Sequence, residues 1–209
     1  MYALVEDNNI TKLINNPESL VIGDVRYPAK IFQLWSQSEL NAIGIYEVVT
    51  NSSNKKDEQW YINTNESYAF ADNQVTRSWG TATPKAHADS LWTQADSDDG
   101  DLPDDKEVGD VKVEGLKTQL IRTLKQQVSN ELSKTDWYIT RNTEKSTAIP
   151  SAISTHRDAV RTKQAEMETA ITNASDTPAL ETLHTYVNTG TEENPVMTRP
   201  LGELPTLES

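Results

Sequence analysis

Between Val113 and Leu132 apolar residues fall every three or four positions, at Val113, Leu116, Leu120, Leu124, Val128 and Leu132. That spacing is the period of an α-helix with one buried stripe, which Ile121 widens. Lys117, Arg122, Lys125, Gln126 and Glu131 occupy the other faces. A second stripe opens at Pro150, a favoured first-turn residue, and runs through Ile153, Val160, Met167 and Ile171, with Arg157 and Gln164 completing a narrow seam. The spacing of 153, 160 and 167 is that of a coiled coil, over too short a stretch to define one. Each helix has a single stripe to bury, so the two are expected to pack on each other as a helical hairpin over residues 111–174.

Upstream the pattern is that of strands. Tyr2 to Val5 and Ile10 to Ile14 flank the polar turn Glu6-Asp7-Asn8-Asn9, a hairpin signal. Val21 to Val25 reads as a second reversal, in which Gly23 supplies the unusual backbone angles. Pro28 then breaks the strand, and Ile31 to Trp35 is expected to resume it. Ser36 to Gly44 predicts a short helix, with a Ser cap, Glu39 at the positive end of the dipole and Gly44 as the stop. Leu40 and Ile43 are expected to pack onto the sheet, and Ile45 to Val49 leaves as a strand. Residues 1–50 thus form a β-rich module. Asn51 to Glu58 is a polar loop. Trp60 to Phe70 and Val75 to Ala82 predict a long two-stranded ribbon turning at Asp72-Asn73, in a module spanning 51–95. Pro84 to Trp92 allows a short helical stretch.

Residues 96–110 are acidic, with two glycines and one proline, the composition of a linker between domains. Asp96 to Asp101 has the look of a calcium loop, but the register fails. With Gly100 at the sixth position, Ala95 stands first and Lys106 stands where a bidentate Glu is needed. In the last segment, 175–209, Thr177-Pro178 opens a short helix through Leu180, Leu183 and Val187, followed by a proline-punctuated extended tail expected to be mobile when alone. The fold class expected is α+β: small antiparallel β modules with a short helix, then a helical hairpin and an extended tail.

Apolar residues make up 35% of the chain and mean hydropathy is −0.65, which favours small modules over one large core. The net charge of −13 opposes nucleic-acid binding, which needs cations to displace phosphate counterions, and attraction to anionic membranes. With no cysteine, disulfides and thiolate chemistry are excluded. No apolar run is long enough to span a bilayer, and residues 1–20 lack the pattern of a signal peptide.

No phosphate loop, nucleophile elbow or zinc-protease motif is present, and no metal or cofactor is called for. The chain is therefore expected not to be an enzyme. His87, His156 and His184 have no ligand spacing and are assigned ordinary surface or interface positions. Trp60, Trp79 and Trp92 suit either a sugar-stacking face or plain packing, and packing is preferred because interfaces favour the same residues.

Two stretches carry a resemblance. Lys117 to Arg161 contains Leu132-Ser133-Lys134-Thr135-Asp136-Trp137-Tyr138-Ile139-Thr140-Arg141, then Ala148-Ile149-Pro150, then His156-Arg157-Asp158-Ala159-Val160-Arg161. It resembles the helix–Asp-Trp–Pro–helix module at the C-terminal end of phage tail and tail-fibre assembly proteins, with His156 where an aromatic is usual. Met1 to Glu6, continuing to the helix ending Ile43-Gly44-Ile45-Tyr46, looks like the N-terminal module of marine-phage virion structural proteins. Together the matches span a little under half the chain.

The resemblance implies a virion component in the tail, baseplate or fibre-attachment region, made in the bacterial host cytoplasm. Its partners would be other phage structural proteins and further copies of itself, with no nucleic acid or membrane. The alternatives it leaves are a tail-fibre assembly chaperone and, from the aromatic ribbon alone, a host-glycan binder. Within the hairpin, Trp137 and Tyr138 are candidate packing or interface residues, with Trp137 plugging the open end of the seam. Asp136 can cap a turn there. Arg157 and Arg161 are placed to reach Glu131 or Asp136 across the hairpin, and Trp60 and Trp79 are the corresponding candidates upstream.

Overall fold

The computed structural model describes residues 1–207 and has an α+β fold. Two compact units divide at Thr83 and Pro84.

The first unit is built on a five-stranded sheet. Strands β1 (Tyr2–Glu6) and β2 (Asn9–Ile14) pair antiparallel around Asp7 and Asn8. Both turn residues have positive φ, +49° and +63°, as the turn of a tight hairpin requires. After the β3 (Leu20–Ile22) and β4 (Val25–Tyr27) hairpin come α1 (Ile31–Leu34), α2 (Gln37–Ala42) and β5 (Ile45–Thr50). The short β6 (Tyr61–Ile62) precedes β7 (Ser67–Ala71) and β8 (Gln74–Ser78), which turn at Asp72-Asn73. The sheet order is β2-β1-β5-β8-β7, with β5 and β8 parallel.

Both faces of this sheet carry an apolar cluster, and strand alternation sorts the side chains between them. Leu4, Ile14 and Ile45 pack with Leu20, Ile31, Phe32 and Leu40. On the other face Ala3, Val5 and Val75 gather Ile10, Tyr46, Val48 and Phe70. Helix α2 follows its signals: Ser36 and Glu39 form a reciprocal capping box, and Gly44 follows at φ +83°.

Two upstream expectations change. Ile31 to Trp35 is a helical turn, because the adjacent Ile31 and Phe32 are both buried. Neighbours on a strand point to opposite faces, whereas neighbours on a helix can share one. The same reasoning shortens the ribbon, since adjacent Trp60 and Tyr61 are both buried. Their N–H groups donate to the Asp57 carbonyl as a turn, and the ribbon begins only at Ser67.

The second unit follows a bridge strand, β9 (Thr83–Pro84). It holds β10 (Ser90–Leu91), α3 (Gln94–Asp98), β11 (Val111–Val113), α4 (Leu116–Ser133), α5 (Asp136–Lys145), α6 (Ser151–Asn173), α7 (Thr177–His184), β12 (Val187–Asn188) and β13 (Met197–Thr198). Residues 84–92 contribute strands where a helix was allowed. The acidic run 96–110 lies inside this unit. Thr93 and Asp96 cap α3, Lys112 pairs with Asp96, and β10 and β11 pair antiparallel. The acids thus close a hairpin, where the sequence suggested a link between domains.

Helices α4 and α6 form the expected hairpin, burying Leu116, Leu124 and Val128 against Ile153, Val160, Met167 and Ile171. Val113 does not begin the stripe; it sits in β11 and is exposed. The start of α4 is capped by the preceding segment. The Leu116 and Lys117 N–H groups donate to the Ala86 and His87 carbonyls, and Asp89 accepts from Gly115 N–H and Thr118 Oγ1. These partners satisfy donors that a helix start leaves open. Asp176 caps α7 by accepting from Ala179 N–H. The tail is held by Leu201, which is buried and donates to the Leu183 carbonyl. Glu208 and Ser209 of the expected tail lie outside the described residues.

Candidate functional site

The polar end of the α4–α6 hairpin gathers most of the residues that the sequence singled out. Arg157 projects from α6 and is buried. Its Nη1 donates to Leu132 O at 2.8 Å, Thr135 Oγ1 at 2.7 Å and Asp136 Oδ1 at 2.9 Å. The cation therefore sits at the negative C-terminal end of α4, and the acid it meets stands in the first turn of α5; each of these charges is favourable to the dipole of the helix end it occupies. Thr135, 1% exposed, also donates to Leu132 O, so the α4–α5 junction is held from two sides.

Next to it on α6, His156 is also buried, which departs from the surface or interface role expected of it. Its Nε2 lies 3.2 Å from Glu131 Oε1, off the direction of a hydrogen bond. Glu131 Oε2 accepts from Lys134. That hydrogen bond holds the Glu131 carboxyl below the usual carboxylate range, against the opposing effect of burial. The signal for His156 was present in the sequence, since it stands three residues after Ile153 on the seam. Beside this cluster a cleft of about 330 Å³ is lined by Glu131, Lys134, Met167, Arg199, Glu203 and Leu204.

Two expected placements do not hold. Trp137 does not plug the seam: it is 51% exposed, because Asp136-Trp137 opens a helix instead of a loop. Its ring stacks on Tyr138 with centroids 4.0 Å apart, and the Arg141 guanidinium lies 5.7 Å from the Trp137 ring centre. No residue of α5 is buried, and Ile139 is also exposed. Arg161 does not cross the hairpin but pairs with Asp158 in its own helix at 3.5 Å. It follows the fully buried Val160, and about 100° of helical rotation turns it outward.

Upstream, Trp60 and Trp79 are both buried. Lys55 and Arg77 lie over the Trp79 ring at 5.3 and 4.7 Å, so that ring is already engaged with cations. In the second unit Lys112 covers Trp92 at 4.4 Å. These are packing arrangements and leave no bare ring pair among the three to stack on a sugar.

Among the described residues no group of three or more His, Asp or Glu side chains could hold a metal ion, and no helix is long and apolar enough to cross a membrane. No family model, curated protein or solved structure matches the chain.

Proposed function

We propose that the chain is a structural component of a tailed-phage virion, in the tail, baseplate or fibre-attachment region, and that it works by protein–protein assembly without a chemical step. The observation that carries this reading is the Trp137–Tyr138 ring pair. It is displayed on a helix that buries nothing of its own and is fastened at its first turn by Arg157. Aromatic residues held on a rigid element are the usual anchors of protein interfaces. The same pair falls within the helix–Asp-Trp–Pro–helix stretch that resembles phage tail proteins. The partners in this reading are other phage structural proteins.

The experiment is mass spectrometry of purified particles of the phage that encodes the chain. A fixed copy number per particle is the expected result. Absence from particles, with the chain abundant in infected-cell extracts, overturns the reading in favour of a tail-fibre assembly chaperone.

A further inference from the structure

Beyond α7 a loose stretch of chain leads to a gripped one. From Thr185 to Thr198 every side chain is exposed. The two strands of this connector pair with each other, Val187 opposite Thr198 and Asn188 opposite Met197. The residues after it are held by the helices. Leu201 is 4% exposed, and its N–H donates to Leu183 O at 3.0 Å. Gly202 lies so close to α6 that a Cβ there would stand 2.8 Å from Lys163 Nζ. Glu203 and Leu204 wall the 330 Å³ cleft together with Glu131 of α4 and Met167 of α6.

Two features leave the connector weakly fixed in its closed form. The hairpins at Asp7-Asn8 and Asp72-Asn73 turn on left-handed residues, but none of the described residues from 185 to 198 has a positive φ. The reversal at Thr191 to Asn194 thus lacks the turn that matches the twist of paired strands. Tyr186, Val187, Val196 and Met197 are each about half exposed, so the closed connector also leaves apolar surface in water.

We propose that residues 199–205 are exchanged between two copies of the chain, so that Leu201 of each fills the site beside Leu183 of the other. The anchoring contacts are kept and only the connector changes, which makes exchange a low-cost route to a dimer. Fully extended, the connector reaches about 45 Å. Two opened connectors continue the β12–β13 register as one longer ladder. Thr189 N–H already donates to Val196 O. The next pair, Gly190 and Pro195, therefore falls where an antiparallel ladder asks no N–H of proline. Docking two copies face to face would set net −13 against net −13, whereas exchange adds only the ladder. A charge conflict remains at its centre, where Glu192 of each copy meets Glu193 of the other and like charges repel. The inference goes beyond the virion reading, stands apart from Trp137 and needs no phage context.

The chain has no cysteine, so single ones report the exchange. Leu183→Cys and Leu201→Cys variants of the full chain, carrying different tags, are mixed under reduction and then oxidised. Expected is a disulfide-linked heterodimer, at least tenfold above that from Leu201→Cys mixed with the exposed Val21→Cys. Its yield should rise with salt, and at least threefold in chains that also carry Glu192→Gln and Glu193→Gln. A chain with both Leu183→Cys and Leu201→Cys should form the same bond within itself when dilute, and circular dichroism establishes that each variant is folded. Deletion of Thr191 to Asn194 leaves the connector too short to turn back and should give a stable dimer by light scattering. The proposal is overturned by a heterodimer no more abundant than the Val21→Cys control while the double variant closes on itself. A yield that falls with salt, or a deletion variant that stays monomeric, overturns it equally. Dimers of the deletion variant that persist with Leu201→Ser would place the contact elsewhere and overturn it as well.

Discussion

The Arg157 guanidinium donates to the Asp136 carboxylate at 2.9 Å and so ties α6 to the first turn of α5. The two ends of this contact are unequal. Arg157 is buried and also serves Leu132 O and Thr135 Oγ1, whereas the Asp136 side chain is 60% exposed. Arg157→Ala is therefore expected to cost about 2–3 kcal/mol, because two partly or fully buried acceptors lose their donor. Asp136→Asn is expected to cost under about 1 kcal/mol, since water screens an exposed carboxylate. Lysine at 157 should recover less than half of the loss, being a point charge without the guanidinium fork. Urea denaturation of the three variants measures this, and equal losses for Arg157→Ala and Asp136→Asn would sink it.

The reach of Arg157 to Asp136 was legible in the sequence because Arg157 stands on the stripe of the second helix and Asp136 follows closely on the end of the first, where the hairpin turns. The exposure of Trp137 was not. Thr140, Asn142 and Thr143 are weak helix formers, so the segment after Trp137 reads as a loop, and ring direction depends on its being a helix. Likewise the turns at Asp7-Asn8 and Asp72-Asn73 were readable from local chemistry, while α1 was not. Four residues carry too little period to distinguish a helical turn from a strand. The unit boundary at Thr83 was hidden for a different reason. Composition marks 96–110 as solvated, but pairing between β10 and β11 draws it into a folded hairpin, and pairing over that distance leaves no local signal.

Gly115 is needed for close approach and not for an unusual φ. A Cβ there would lie 2.3 Å from Ala88 C and 2.8 Å from His87 O, backbone atoms of the segment that caps α4. Gly115→Ala is expected to destabilise the second unit by about 3 kcal/mol, through overpacking and loss of the capping bonds from Leu116 and Lys117. Asp89→Ala, which removes the acceptor for Gly115 N–H and Thr118, should cost about 1–2 kcal/mol. Thermal unfolding of the full chain compares them. A milder effect for the glycine substitution than for Asp89→Ala would show that the capping segment yields.

Acid should weaken the second unit in two steps. The hydrogen bond from Lys134 lowers the pKa of Glu131, and that from Lys112, reinforced by Thr93, lowers that of Asp96. A depressed folded-state pKa gives stability that is present above the unfolded value, about 4, and is lost as pH falls through the lower folded value. His184 is depressed by burial, its Nδ1 hydrogen-bonded to Leu180 O. Its neutral form is the one the fold prefers, so stability begins to fall as pH drops below about 6.5. Denaturation midpoints measured from pH 8 to pH 3 should decline first near pH 6 and again in the carboxylate range. His184→Gln should remove the upper step and Glu131→Gln should shallow the lower. A profile that Glu131→Gln leaves unchanged would exclude the Lys134 bond as a source of acid sensitivity.

Stability and assembly should separate at Trp137. Its ring is half exposed and stands on a helix with no buried residue, so Trp137→Ala removes only contact with Tyr138 and Arg141. The expected loss of stability is about 1 kcal/mol or less. If the ring pair is the anchor of a protein interface, truncation costs at least about 2 kcal/mol of association, a loss of roughly thirtyfold in affinity. Under the proposed virion role, incorporation into phage particles, measured against a folded chain of unchanged melting temperature, should then fall steeply for Trp137→Ala. Arg157→Ala would lower both quantities together, because it releases the start of α5 and weakens the hairpin at once. Normal incorporation of Trp137→Ala would remove the ring pair as the anchor. A parallel fall in stability and incorporation for Trp137→Ala would mean that the ring supports the fold before it supports a partner.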